Sequence, residues 1–143
     1  MKLIKEIKTK EGKVVFKRWR LLNFYFFYID IHEFFSEDKI FDKDYFLHNH
    51  PRIFISKILE GGYVEFYKKN KRSKTDIISR REGQFHFIGI RCFHKIALLH
   101  NNYCKTLVLT TRKIKSWGYL DDRNKNNLKI ISNEEYRNIK DQL

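Results

Sequence analysis

The sequence predicts an all-β fold, a sandwich or barrel of short strands with a single helix at the C-terminus. Three observations predict it. Short runs dense in β-branched and aromatic residues fill the first two thirds of the chain. Turn signals separate those runs at fairly even spacing. The helix-start signature, Ser132-Asn-Glu-Glu135, lies close to the end.

In chain order, residues 13–20 and 23–32 form the first two strand patterns. Residues 52–60 and 63–68 come next, separated by Gly61 and Gly62. Glycine accepts the positive φ of a tight turn, so this pair predicts a hairpin between two strands. Residues 76–80 run into the turn Arg81-Glu82-Gly83, and residues 84–88 leave it. Residues 92–98, 105–111 and 114–120 complete the set. Residues 121–127 read as a polar loop, and Ser132 opens a helix with Tyr136, Ile139 and Leu143 as its apolar stripe. No repeat or second composition regime interrupts the pattern. The expectation is one domain over 1–143, with its core at about 13–120 and a C-terminal extension over 121–143.

The chain has 143 residues, 42% hydrophobic and 16% aromatic, enough to bury a core and too apolar for disorder. Its longest apolar run, Leu21 to Ile29, is broken by Asn23 and closed by Asp30, far short of the ~20 residues that span a bilayer. Met1-Lys-Leu-Ile-Lys-Glu has no apolar stretch behind its lysine, so no secretory signal and no membrane are expected. Cys92 and Cys104 form no motif, which predicts a reduced, cytoplasmic setting. A net charge of +13 invites nucleic acid as a partner. The basic residues are spread along the chain, however, and their densest cluster, Lys68 to Lys74, falls between strand patterns where a solvated loop is expected. Nucleic-acid binding is therefore not the favoured reading.

His48-Asn49-His50-Pro51 carries direct chemical meaning. Residues i and i+2 of a strand face the same way, about 6.6 Å apart, so two imidazoles can lean onto one ion. With six histidines in the chain, such a pair alone is weak. The order of the downstream residues strengthens it. An apolar strand leads to Gly61-Gly62-Tyr63, then comes Gly83, and His94 lies eleven residues further on.

This order resembles the two motifs of the cupin superfamily, which are HxH with a glutamate and a turn glycine, then a glycine and a third histidine. A closer resemblance is to a group of small cupin-like proteins of bacteria and phages. It rests on Leu47-His-Asn-His-Pro51, Ile58-Leu-Glu-Gly-Gly-Tyr-Val-Glu65, Arg81-Glu-Gly83, His94-Lys-Ile96, Thr106 to Thr110 and Trp117-Gly-Tyr119. The match runs over about residues 18–120, most of the chain, and the quoted motifs fall within 47–119. The resemblance implies a cupin-type double-stranded β-helix, a jelly-roll barrel. It also implies His48, His50 and His94 as metal ligands, and Gly61 and Gly83 as the motif glycines. The usual glutamate ligand is replaced by Phe54, for which Glu65 or His86 are the candidate substitutes.

Three neutral imidazoles with an open position suit a divalent metal ion such as Fe, Zn, Mn, Ni or Cu. Arg81, Arg91 and Lys95 are candidates for gripping an anionic small-molecule ligand, against the plainer reading of solvated charge. Trp117 and Tyr119 line a pocket or belong to the core. His32 and His100 are expected beside loops and exposed. His86 enters the barrel if Phe85 and Phe87 face outward, and faces solvent if they do not. The leading functional expectation is a metal-dependent enzyme of dioxygenase or isomerase type acting on a small anionic molecule. A non-catalytic binding module and a basic nucleic-acid-binding protein are the alternatives. A homodimer is expected, with the aromatic segment Phe24 to Tyr28 covering a sheet edge.

Overall fold

The computed structural model describes residues 1–37 and 46–142. Among the described residues, nine strands precede one helix: β1 (Lys2–Lys8), β2 (Val14–Asn23), β3 (Phe27–Phe34), β4 (Phe54–Lys68), β5 (Asp76–Arg81), β6 (Phe85–Ile88), β7 (Phe93–Thr111), β8 (Tyr119–Asp121), β9 (Lys129–Ile131) and α1 (Asn133–Gln142). All pairings are antiparallel, in the order β1-β2-β3-β7-β4-β5, with β6 also paired to β4. A two-stranded ribbon, β8-β9, completes the set. His48 joins the two sheets by bridging His94 of β7 to Tyr119 of β8. The all-β expectation with a C-terminal helix holds. No helix among the described residues is long and apolar enough to cross a membrane.

Several elements differ from the sequence expectation. Gly61 and Gly62 do not form a hairpin. They bend one continuous strand, β4, whose two halves pair in turn with β6 and β5 on one side and with β7 throughout. Both glycines have positive φ, +72° and +145°. A β-carbon would lie 2.1 Å from the Tyr103 carbonyl oxygen at Gly61 and 2.3 Å from that of Arg80 at Gly62. The extra length shifts the register, and the inward set changes from Phe54, Ser56 and Ile58 to Tyr63, Glu65 and Tyr67. That change of parity turns Glu65 into the barrel. Gly61→Ala is therefore expected to destabilise the fold by at least about 2 kcal/mol, measured by chemical denaturation. An unchanged midpoint would show that the bend relaxes freely.

β7 likewise runs through the stretch expected to separate two strands, bulging where Asn101 and Asn102 adopt φ of 56° and 58°. Asparagine tolerates this region better than most residues. The pattern expected over 114–120 shrinks to β8, and 24–26 form the turn between β2 and β3 instead of strand. That turn leaves Tyr25 and Phe26 exposed at 77% and 74%. β1, outside the expected core, is an exposed edge strand held through β2.

The capping box forms as expected. Glu135 N–H donates to Ser132 Oγ (3.1 Å), and Ser132 N–H donates to the Glu135 carboxylate (2.7 Å). The helix buries Tyr136 against Phe46 and Ile131, with Ile139 packed alongside. Leu143, the third residue of the expected stripe, lies outside the described residues.

Candidate metal centre

The HxH segment is tied to the barrel by backbone bonds that alternation makes possible. His48 and His94 exchange both N–H···O bonds at 2.9 Å, and Leu120 N–H donates to Leu47 O at 2.7 Å. Leu47 consequently packs with Phe66, Phe93 and Leu120 on one face, while His48 turns to the other. Asn49, between the two histidines, is buried, and its Oδ1 accepts the Gly118 N–H at 2.8 Å. This clamp fixes the segment against the start of β8.

His48, His50 and His94 come together. Their ring centroids lie 4.8–5.0 Å apart, and one nitrogen from each falls within 4.8 Å of the others. His50 Nε2 is 2.7 Å from His94 Nε2. His94 Nδ1 is 2.9 Å from Glu65 Oε2, so it carries the proton and donates, leaving Nε2 as the acceptor that faces His50. Burial, followed by the neighbouring His94 and His48, holds His50 well below the ordinary histidine range, so it is neutral at physiological pH.

Glu65 is not one of the three. It sits behind His94, fully buried, and accepts Arg80 Nε and Nη2 on Oε1, both at 2.8 Å. Burial alone raises its pKa. The hydrogen bond from His94 and the charges around it outweigh that effect, and the carboxyl is held below the usual range. His86 enters the barrel, because Phe85 and Phe87 face outward at 69% and 60% exposure. Its Nδ1 is 3.1 Å from the Tyr63 hydroxyl. Its Nε2 approaches Glu65 Oε1 at 3.3 Å without hydrogen-bond alignment. Burial lowers its pKa to about 4.

Phe54, which the resemblance sets at the usual glutamate position, packs edge-on against His50, centroids 4.8 Å apart. It offers no ligand atom. Tyr119 packs edge-on toward His48 at 6.0 Å and stacks on Tyr136 at 3.9 Å, which makes it one wall beside the site. Trp117 is 39% exposed and touches Tyr119.

The expected anion-gripping residues lie elsewhere. Arg81 and Arg91 are exposed, and Lys95 is buried on the face opposite His94. Arg80, one residue away from the expected Arg81, reaches Glu65 because residues 80 and 81 face opposite ways. His32 is not exposed; it packs against Phe16, Phe34 and Phe54, and burial pushes its pKa down to about 3. His100 is half-buried, 3.3 Å from Ser79 Oγ. The alternation Tyr28-Ile-Asp-Ile-His32 carried a signal for His32, since it places Asp30 and His32 on one face. Cys92 and Cys104 are buried and free.

No family model matches the sequence, and no curated protein matches it. Solved structures do match the fold. A cupin-2 domain of Rhodospirillum rubrum aligns over 96% of this chain and 80% of its own, with 9% identity and a TM-score of 0.58. A candidate mannose-6-phosphate isomerase of Ralstonia eutropha aligns over 67% and 83%, with 12% identity and a TM-score of 0.54. The Fe(II) form of HppE aligns over 74% of this chain at 10% identity and a TM-score of 0.54, although this chain spans only 55% of that one. The fold is the cupin double-stranded β-helix.

Proposed function

We propose that this chain of cupin fold holds one divalent metal ion, Fe(II), Zn, Mn or Ni, on His48, His50 and His94 and acts on a small anionic molecule. The observation that carries the reading is the convergence of three imidazole nitrogens in which His94 is already committed to the tautomer a metal requires. The donor set fits such an ion, because neutral imidazole nitrogens suit all four metals and His50 is held neutral by desolvation. When bound, the metal supplies Lewis acidity and, in the case of iron, redox capacity. The Glu65 carboxylate, accepting from His94 Nδ1, makes Nε2 a stronger donor and fixes its ring. Arg80 in turn fixes Glu65. The Fe(II) form of HppE, a protein of the same fold, makes Fe(II) the first metal to screen.

Elemental analysis of the untagged protein is expected to find about one equivalent of metal per chain. A protein that stays empty after incubation with Fe(II), Zn, Mn and Ni would sink the reading. Phe54 also supports a second reading, a non-catalytic small-molecule-binding module, because three protein ligands hold a metal less completely than four. Substrate turnover abolished by His94→Ala, with the fold retained, separates the enzyme from the module.

A further inference from the structure

The same barrel contains a second polar cluster that the metal reading leaves unused. Asp30, fully buried on β3, takes Arg18 Nε and Arg20 Nε on its two oxygens, both at 2.7 Å. Arg20 stacks over the Tyr28 ring at 3.7 Å, and Arg52 and Arg112 approach the same ring at 5.6 and 5.8 Å. Alternation places Arg18, Asp30 and His32 on one face of β2 and β3, with His32 opposite Arg18. The side chains of Arg18 and Arg20 are 16% and 20% exposed, so they are largely desolvated yet reachable from outside.

The charges do not balance. One carboxylate needs one guanidinium for a bidentate pair, and here it faces Arg18 and Arg20 with Arg52 close by. Burial and then the Arg18 charge push the Arg52 pKa down, as expected for a cation crowded by cations. One buried polar atom, His32 Nε2, points to a missing partner, and the Arg18 fork is imperfectly seated on Asp30. Arg18 Nη2 lies 2.6 Å from Asp30 Oδ2 but is not aligned for a hydrogen bond, and His32 Nε2 has no hydrogen-bond partner among the described residues. Buried polar groups are satisfied in the great majority of cases, and an excess of partly buried cations is costly without an anion.

We infer that Arg18, Arg52 and His32 form a binding site for a small oxyanion, a carboxylate or phosphate. Arg18 and Arg52 supply charge and the N–H donors left over from Asp30 and from the Thr111 carbonyl, to which Arg52 Nη1 donates at 2.9 Å, and neutral His32 supplies one N–H. Asp30 holds Arg18 and Arg20 in place and lowers the affinity enough for release. The site lies beside the histidine group: His32 packs on Phe54 (6.3 Å), and Phe54 packs on His50 (4.8 Å). On the metal reading, and resting on it only for this step, the anionic group anchors one end of the substrate while the other reaches past Phe54 to the metal.

Isothermal titration of the protein with inorganic phosphate, and separately with succinate, tests the inference. Saturable binding of one or both is expected, the stronger probe marking phosphate or carboxylate as the natural group. Arg52→Gln removes a charge without orphaning a carboxylate, and should weaken binding by at least about tenfold. Asp30→Asn should tighten it. Lys71→Gln/Arg72→Gln, on the basic turn between β4 and β5, should leave it unchanged. Absence of saturation with both probes overturns the site, as does equal weakening by the surface pair, which would mean diffuse attraction to a +13 protein. His48→Ala/His50→Ala should keep the anion affinity. A protein that binds metal but neither anion therefore refutes this site alone, and one that binds anion but no metal refutes only the metal reading.

Discussion

His48→Ala/His50→Ala is expected to leave the protein folded and without metal. Each alanine removes one of the three convergent nitrogens, and His94 alone cannot hold a divalent ion at a useful concentration. Loss of even a hydrogen-bonding partner of a ligand costs ~10–100-fold in affinity, so loss of two ligands should cost at least about a thousandfold. Folding should survive, because barrel closure at this point uses the backbone. The paired bonds between His48 and His94 at 2.9 Å and the Asn49 clamp on Gly118 are all retained. The measurement is metal content by elemental analysis, beside the rise in melting temperature that added metal produces. Wild type should show both, and the variant neither, with similar melting of the two metal-free proteins. Equal metal content in the variant would place the ion elsewhere.

The parts of this site that were legible in the sequence are those fixed by alternation or motif order. His48 and His50 face one way because a strand has period two, and Leu47 and Asn49 face the other. The parts that were not legible depend on which strands meet. Gly61-Gly62 satisfies a hairpin and a strand bend equally well, since both need positive φ. Only the pairing of β4 along β7 separates them. Glu65 is a candidate ligand by proximity in sequence; the parity change at the bend turns it inward but sets it behind His94. Arg81 and Arg80 differ by one residue, and the register of β5 on β4 decides which of them meets Glu65. The burial of His32 is hidden because β3 is covered on both faces: Ile31 and Asp30 are both buried, so polarity does not mark the solvent side. β1 could not be found from a burial pattern, because all of its residues are exposed.

Replacing Glu65 should have the largest effect on stability of any single change in the site. The carboxylate is fully buried and joins Arg80 to His94, with His86 close by. Glu65→Ala leaves the Arg80 guanidinium and the His94 Nδ1–H without their acceptor. Breaking a buried pair by removing one partner costs about 3–5 kcal/mol, and the lower end applies because Arg80 retains 19% exposure and regains some water. Glu65→Gln keeps the shape and one acceptor oxygen but loses the charge. It should cost less stability, yet weaken metal binding by ~10–100-fold through His94. The two variants therefore separate packing from electrostatics. Acidity adds an independent check. The folded protein holds Glu65 below its ordinary pKa of 4.5. Its contribution is therefore complete above that value and is lost as pH falls through the depressed folded pKa. Urea denaturation of wild type and Glu65→Gln should show a wide gap at neutral pH that closes as the medium becomes more acidic than pH 4.5. A gap that stays constant down to the acid limit would mean that the carboxylate acts through shape alone, and that Arg80 and His94 do not depend on its charge.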